Sequence, residues 1–429
     1  MAAHGGRTGG GPWQQAAATA VWAVTRTVLL LTVFKVIPVR GPDVTSDVSV
    51  IYHGWFRVLA DGTFPVGDVT WQYPPGAALA VLSPGLLPWL GYATAFFVLA
   101  CVADAVTFVL LLRAGRRPDR RAAGVWFWVL GLPLLGPTAY ARYDVMVTAV
   151  VVAAALVAAR RPGTAGALTG LGAMLKGWPA LLLLGAPRGR GSRAMWGWAA
   201  VVAGLLTLAF TVSMPGALGF VTAQRDRGTE VESLGGLVFH VARQFGWEGQ
   251  VGLHYGSIEF LGPGVPQVSS AALVLTAVAF GWLLLWRWRA VEWTATTPAD
   301  AAFTAVLLFV TTSRVISPQY MVWLLGLGAV CVGLRAGRMT APAVLVPAAT
   351  GLTLLEFPIW FDHVVASDGL GLTLIAARDG LLVAASVLAA VRLWRSTVTG
   401  PRRRAVPGPQ PAGRPLSPTA RAGTSATGR

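Results

Sequence analysis

Apolar stretches of about twenty residues recur along this chain, and between them stand short segments crowded with arginine. A run of that length is what a helix needs to cross a hydrocarbon core about 30 Å thick, because each residue advances the helix by about 1.5 Å. Repeated along a whole chain, such runs describe a multispanning membrane protein. Hydrophobic residues make up 55% of the sequence and charged residues 12%, against roughly 45–50% and about 25% in soluble domains. The 51 glycines and 28 prolines lie within these apolar stretches, which excludes a disordered or collagenous chain. A net charge of +16 would point to nucleic acid on a soluble protein. Here the basic residues are segregated between spans, so no nucleic-acid partner is expected and the fold class is all-α and polytopic.

The arginines also orient the chain. Those at 113–121, 160–161, 188–193, 287–289 and 335–338 mark one side of the membrane, expected to be cytoplasmic because cytoplasmic loops carry the excess of Lys and Arg. The first span is expected at 19–39, retained and not cleaved: no small-residue cleavage site follows it, and Lys35 and Arg40 flank its end. Beyond it, residues 41–71 carry Asp43, Asp47, Asp61 and Asp68 against Arg57 alone, an acidic external loop. Residues 73–90 are apolar but broken by Pro74, Pro75, Pro84 and Pro88, so they are expected to lie on the outer interface.

Further spans are expected near 92–112, 123–139, 145–159, 194–214, 269–285, 300–316, 321–334, 341–359 and 371–391. The stretch 164–186 has arginines on both sides but only enough residues for one crossing, so it predicts two half-helices meeting near Lys176-Gly177-Trp178-Pro179. The sum is about ten full spans plus one broken hairpin, with external loops at 41–91 and 215–267 and no visible repeat. Residues 1–17 form a cytoplasmic N-terminal segment, 18–392 the membrane domain, and 393–429 a disordered basic cytoplasmic tail able to meet anionic membrane lipids.

A charge inside a membrane costs at least about 2.5–3.5 kcal/mol, so ionisable residues there need a reason. Arg26 and Asp104 read as structural; Arg378 and Asp379, adjacent on one helix, point different ways. Asp43 and Asp47 are spaced i, i+4 ahead of Tyr52, His53, Trp55, Phe56 and Leu59, an amphipathic segment if helical. It is either an interfacial helix with solvated carboxylates or the carrier of a general base that accepts a hydroxyl proton. Arg142, Lys176, Arg314, Gln319 and Tyr320 are cations and donors that suit a phosphate leaving group. The plainer readings are an Arg142–Asp144 ion pair and a helix cap after Pro318. His240, His254 and His363 are scattered along external loops and read as structural. No metal-ligand spacing occurs, and no cofactor is expected.

In chain order come an acidic loop ending in Trp71-Gln72-Tyr73-Pro74-Pro75-Gly76, then Arg142-Tyr143-Asp144, Lys176-Gly177-Trp178-Pro179, and Ser317-Pro318-Gln319-Tyr320 with Trp323. Together, over about residues 18–392, these resemble the multispanning C-type glycosyltransferases, with their GT-C architecture. The nearest likeness is to glycosyltransferase family 87, the polyprenyl-phosphate-mannose-dependent mannosyltransferases. The resemblance implies a multi-pass plasma-membrane enzyme with cytoplasmic termini and an outward-facing site. It would move a hexose, mannose by the family's pattern, from a polyprenyl-phosphate donor to a hydroxyl of a glycolipid or glycan acceptor with inversion.

By the same resemblance Asp47 best matches the catalytic aspartate, with Asp43 the alternative. Arg142, Lys176, Arg314, Gln319 and Tyr320 would hold the donor phosphate. His53, Trp55, Trp71, Tyr73 and Asp144 would meet sugar or acceptor, and the loop 215–267, with Arg225, Asp226, Arg227, Glu230 and Glu232, would select the acceptor. The family often carries a histidine near the late motif, where this chain has Arg314 and Gln319. The rival reading is a transporter or flippase for a lipid-linked or small polar ligand, motivated by the broken hairpin and the charges within spans.

Overall fold

A computed structural model describes residues 11–223 and 227–399. The expected basic tail, most of the N-terminal segment, Arg225 and Asp226 lie outside the described residues. The chain opens with α1 (Pro12–Val33), a π-helical turn (Asp47–Tyr52), α2 (His53–Ala60), α3 (Ala77–Leu82) and α4 (Tyr92–Gly115). After α5 (Ala123–Gly131) and a 3-10 segment (Leu132–Ala139) come α6 (Asp144–Val157), α7 (Pro162–Leu175), a 3-10 segment (Trp178–Gly185) and α8 (Arg190–Ser213). The connection to α11 (Val265–Arg289) holds α9 (Phe220–Ala223), β1 (Thr229–Glu230), α10 (Gly236–Arg243), β2 (Gln250–His254) and β3 (Ser257–Leu261). The rest is α12 (Thr297–Thr312), α13 (Tyr320–Gly333), α14 (Thr340–Ala343), α15 (Leu345–Leu354), a π-helical turn (Leu355–Ile359), α16 (Phe361–Ala366) and α17 (Gly369–Thr397).

Among the described residues six helical stretches are long and apolar enough to cross a membrane: α1, α4, α8, α11, Thr340–Ile359 and α17. Four more expected spans are shorter apolar segments: Ala123–Ala139, α6, α12 and α13. Their shortness has a physical reason. Met321 through Gly333 of α13 are all buried, and a helix enclosed by protein need not match the full apolar thickness. By contrast α8 and α11 are mostly exposed along their apolar windows, as helices facing lipid must be.

The stretch 164–186 breaks where expected. Lys176 leaves the helix in an extended conformation (φ −160°, ψ 122°), because Pro179 cannot continue an α-helix through Trp178. The returning 3-10 segment packs beside α7 and α12. On its other side α7 meets α8 at very short range: a Cβ on Gly166 would lie 2.1 Å from the Met195 carbonyl oxygen, and one on Gly170 2.5 Å from that of Ala199. This glycine spacing lets two membrane helices touch backbone to backbone.

Buried charges tie the helices of the bundle together. Asp104 on α4 accepts from Arg26 Nε at 2.7 Å, the Trp128 indole at 2.6 Å and the Tyr140 hydroxyl at 2.8 Å. Arg26 gives a further bond to the Val129 carbonyl at 2.7 Å, so this pair ties α1 to α4 and α5. On α17, Arg378 and Asp379 do meet, at 3.2 Å, contrary to the expectation that neighbours on a helix point apart. Arg378 also pairs with Glu356 at 2.9 Å and donates to the Glu232 carbonyl.

The arginine-rich segments gather at one end of the bundle. Arg121 donates to the Arg335 carbonyl, Arg160 pairs with Asp119 at 3.1 Å, Arg188 reaches the Arg287 carbonyl and Arg392 that of Arg338. The long connections gather at the other end, where one departure from all-helix structure occurs. Strands β1, β3 and β2 form a three-stranded antiparallel sheet in that order. Its hairpin turns at Tyr255 (φ 48°) and Gly256 (φ 76°), the two left-handed residues a tight antiparallel turn requires. The segment Ala77–Leu86 is a short helical stretch of ten residues, about 15 Å along its axis and too short to cross.

Candidate active site

At the end away from the arginines the connections enclose a cavity of about 840 Å³, within the ordinary range for a substrate site. Its floor is the break in the hairpin. Lys176, the residue that follows α7, places its ammonium 2.8 and 2.9 Å from the two carboxylate oxygens of Asp144. Asp144 opens α6, where the unpaired backbone amides of a helix start favour a carboxylate. The Trp323 indole donates to it at 2.6 Å. Around the ammonium stand the rings of Tyr143, Tyr73, Trp323 and Tyr320, with centroids 5.0, 5.3, 5.4 and 6.0 Å away. Tyr73 is brought there by the turn Tyr73-Pro74-Pro75-Gly76: a Cβ on Gly76 would lie 2.6 Å from the Met174 carbonyl oxygen, so only glycine lets this turn sit against the end of α7.

One wall of the cavity carries Asp47, the first residue of the π-helical turn, a distortion that recurs at functional sites. Asp47 Oδ2 lies 2.7 Å from Arg142 Nη2, and Arg142 is fixed from behind by bonds to the carbonyls of Val44 (3.0 Å) and Ala141 (2.7 Å). Arg142 therefore pairs with Asp47 and not with Asp144, whose partner is Lys176. Asp43 stands elsewhere: it precedes the helical turn, pairs with Lys35 at 2.7 Å on the exposed surface and does not line the cavity. Partial burial works to raise its carboxyl, but hydrogen bonds from Lys35 and Thr45 outweigh this and hold it below the usual carboxylate range.

The facing wall is the connection between α12 and α13 together with the sheet. Arg314, Gln319 and Tyr320 all line the cavity. Arg314 donates to the Arg227 carbonyl at 2.6 Å, and Tyr320 stacks on Trp323 with centroids 4.0 Å apart. The helix does begin just after Pro318, as the plainer reading of Gln319 and Tyr320 expects. Glu230 clamps this wall: its amide donates to the Arg314 carbonyl, and its carboxylate accepts from the Ile316 amide at 2.8 Å and the Ser317 hydroxyl at 3.3 Å. Burial pushes the Glu230 carboxyl up to about 7, despite the charge of Arg227. Burial, followed by the charge of Glu230, pushes Glu232 up as well.

Of the aromatic residues expected at the site, Trp55 and Tyr73 line the cavity. Trp71 is buried behind them, edge-on to Trp55 at 5.1 Å. His53 faces away, stacked on Tyr92 at 4.9 Å. Asp144 lies just behind the lining, reached through Lys176. His240 is buried in the connection, bonded to Ser367 and the Val231 carbonyl, in keeping with its structural reading.

Sequence reasoning gave Arg227 to acceptor selection, and it missed the strand that holds this residue and the apolar limb of the cavity. Arg227 lines the cavity as a fourth cation, held by Gln72 and Ser257 at 2.9 Å each and by Glu259 at 3.4 Å. The alternation Ser257-Ile258-Glu259-Phe260 after Tyr255-Gly256 is the signal that would have placed Glu259 on a hairpin strand. Beside the polar chamber, Leu181, Leu273, Phe280 and Phe309 continue the same cavity as an apolar limb along α11 and α12.

The family model of glycosyltransferase family 87 matches residues 71–318, more than half of the chain. Among solved structures the chain is similar to the crystal structure of ArnT from Cupriavidus metallidurans bound to undecaprenyl phosphate. The two share 18% identity with a TM-score of 0.43, over 89% of this chain and 76% of that one. No match was found among curated proteins.

Proposed function

The chain belongs to glycosyltransferase family 87, and from that premise we propose that it moves a hexose, mannose in the first instance, from a polyprenyl-phosphate donor to a hydroxyl of a glycolipid or glycan acceptor. Membership makes it a membrane glycosyltransferase; the donor, the acceptor class and the site residues are our reading. One observation carries it: Asp47 shares a single cavity with Arg142, Lys176, Arg227 and Arg314, and that cavity continues into an apolar limb between α11 and α12. A phosphate suits the cationic chamber and a polyprenyl tail the limb.

The chemistry follows from these placements. The acceptor hydroxyl gives its proton to Asp47 as its oxygen bonds to the anomeric carbon, and the bond from that carbon to the phosphate oxygen breaks. Direct displacement inverts the anomeric centre and needs no covalent intermediate. The departing phosphate gains negative charge, which Arg142 and Arg314 meet with forked donors and Lys176 with a point charge. Gln319 and Tyr320 supply neutral donors. Trp55 and Tyr73 offer ring faces to the sugars.

We place the reaction on the outer face of the plasma membrane, with both termini cytoplasmic and 18–392 as the catalytic unit. The support is the segregation of the arginines to the end opposite the cavity. The test is sugar transfer in membranes containing the protein, with radiolabelled polyprenyl-phosphate mannose as donor. A labelled product made by the wild type and not by an equally expressed Asp47→Asn variant is expected. Equal labelling by both would remove Asp47 from the reaction. Movement of the ligand across the bilayer with no sugar transferred would favour the transporter reading.

A further inference from the structure

A second, open recess adjoins the cavity. It measures about 710 Å³ and runs between one face of the helical stretch 47–60 and the turn at 63–70, with Pro215 at its edge. Ile51, Trp55 and Thr70 line both spaces, so this one helical stretch is the partition. Asp47 and Tyr52 face the cavity, while Val50, Gly54 and Val58 face the groove. The Trp55 ring is pinned at the junction by its indole bond to Asp68 at 2.8 Å.

The two spaces differ in charge. Among the described residues four cations line the cavity, whereas no Lys or Arg lines the groove. Its apolar side is built by Val50, Val58, Pro65 and Val66, with Val50 67% and Val66 76% exposed. Its polar side is Thr63, Asp68 and Thr70. A phosphate finds no cationic partner among these residues. An amphipathic uncharged molecule has a partner on each side, and its polar end would reach the ridge of Ile51 and Trp55, which stand about one and two helical turns from Asp47.

Resting on the transferase reading above, we propose that this groove is the acceptor site and that it takes an uncharged saccharide carried on an apolar aglycone. The saccharide packs at Trp55 with a hydroxyl toward Asp47, and the aglycone lies along Val50, Val58 and Val66. A bilayer lipid is the rival occupant, but a lipid tail has no use for the polar side or for the continuity with the cavity.

The probe is n-octyl mannoside bearing a diazirine at the end of its octyl chain, photolysed with the full chain in phospholipid nanodiscs. Labelling is expected within 50–66 and to fall at least tenfold with excess plain octyl mannoside. Val66→Asp puts a charge on the aglycone path, and Gly54→Leu fills the groove where a Cβ meets no atom within 4 Å. Both variants should lose the competed labelling, while Asp47→Asn should keep it. Labelling spread over the lipid-facing helices, labelling competed equally by octanol, or labelling unchanged in the two groove variants would each overturn the proposal. Transfer of mannose from the polyprenyl donor to octyl mannoside is measured alongside. Competed labelling without transfer overturns the transferase reading and the acceptor role with it, whereas transfer unaffected by either groove variant overturns the groove alone.

Discussion

Arg142 Nη2 lies 2.7 Å from Asp47 Oδ2 while the same guanidinium is held from behind by the carbonyls of Val44 and Ala141. One side chain thus joins the entry to the first helical turn, the start of α6 and the carboxylate proposed as base. In the proposed reaction, a phosphate entering the cavity would compete with Asp47 for this cation and so free the carboxylate oxygens to accept a proton. Arg142→Lys keeps the charge but cannot serve three acceptors in one plane. It should raise the donor KM about tenfold or more, the weight of one charged hydrogen bond, in initial-rate measurements.

The two candidate bases are separable. Asp47→Asn should lower kcat by about 10²–10⁴-fold, the usual contribution of a positioned base. Asp43→Asn weakens an exposed pair with Lys35 and keeps an oxygen for the bonds from Thr45, away from the cavity, and should leave transfer within about twofold, since such pairs contribute about 0–1 kcal/mol. Reversed behaviour of the two variants would move the base to Asp43.

Breaking the Lys176–Asp144 pair from one side should show its burial. Asp144→Leu leaves the ammonium inside the protein without its carboxylate, at a cost of about 3–5 kcal/mol. Combining it with Lys176→Met removes both charges and should restore most of the thermal stability in detergent without restoring transfer. If the double variant transferred sugar at the wild-type rate, Lys176 would have no part in holding phosphate.

Asp104→Ala should be as costly to the fold and irrelevant to the chemistry. It strips the partner from buried Arg26 and leaves the indole of Trp128 and the hydroxyl of Tyr140 without their acceptor, again about 3–5 kcal/mol. The donor KM of the surviving folded fraction should not move.

Glu230 makes stability depend on pH. Its carboxyl sits at about 7 in the fold against an ordinary 4.5, so between those values the folded chain binds the proton that the unfolded chain has released. The contribution is fully present below pH 4.5 and is lost as pH rises through 7. Glu230→Gln keeps the acceptor for the Ile316 amide and removes the titration. Its melting temperature should therefore change less than that of the wild type between pH 5 and 8.

Much of this arrangement was legible in the sequence because the membrane punishes misplaced charge. Runs of apolar residues and arginine clusters placed most of the helices to within a few residues, although α1 (Pro12–Val33) lies six to seven residues ahead of the expected 19–39, and the arginines on both sides of 164–186 revealed a break that hydropathy alone would have read as one span. The residues that line the cavity stood out as motifs between the spans, but their pairing did not. Nothing along the chain says that Arg142 chooses Asp47 over its near neighbour Asp144, because that choice is made by Lys176 arriving from α7. Arg378 and Glu356 found each other in the same way, across two helices. The sheet around Arg227 was missed for a local reason: its strands are short and its loop also holds helices, so period-two alternation is easily passed over.

The broken hairpin also fixes a height. Both its ends lie among the arginines, and α7 has 14 residues, about 21 Å of helix, so the ammonium it carries stands some two-thirds of the way across an apolar layer about 30 Å thick. The floor of the proposed reaction chamber is therefore held from below, as on a pillar, with the turn at Gly76 seated against the pillar's end. The sugar must descend to that level while the length of α7 stays constant. Bilayers of thicker or thinner acyl chains should consequently change the rate of transfer through the reach of the donor's headgroup, with the cavity itself unaltered.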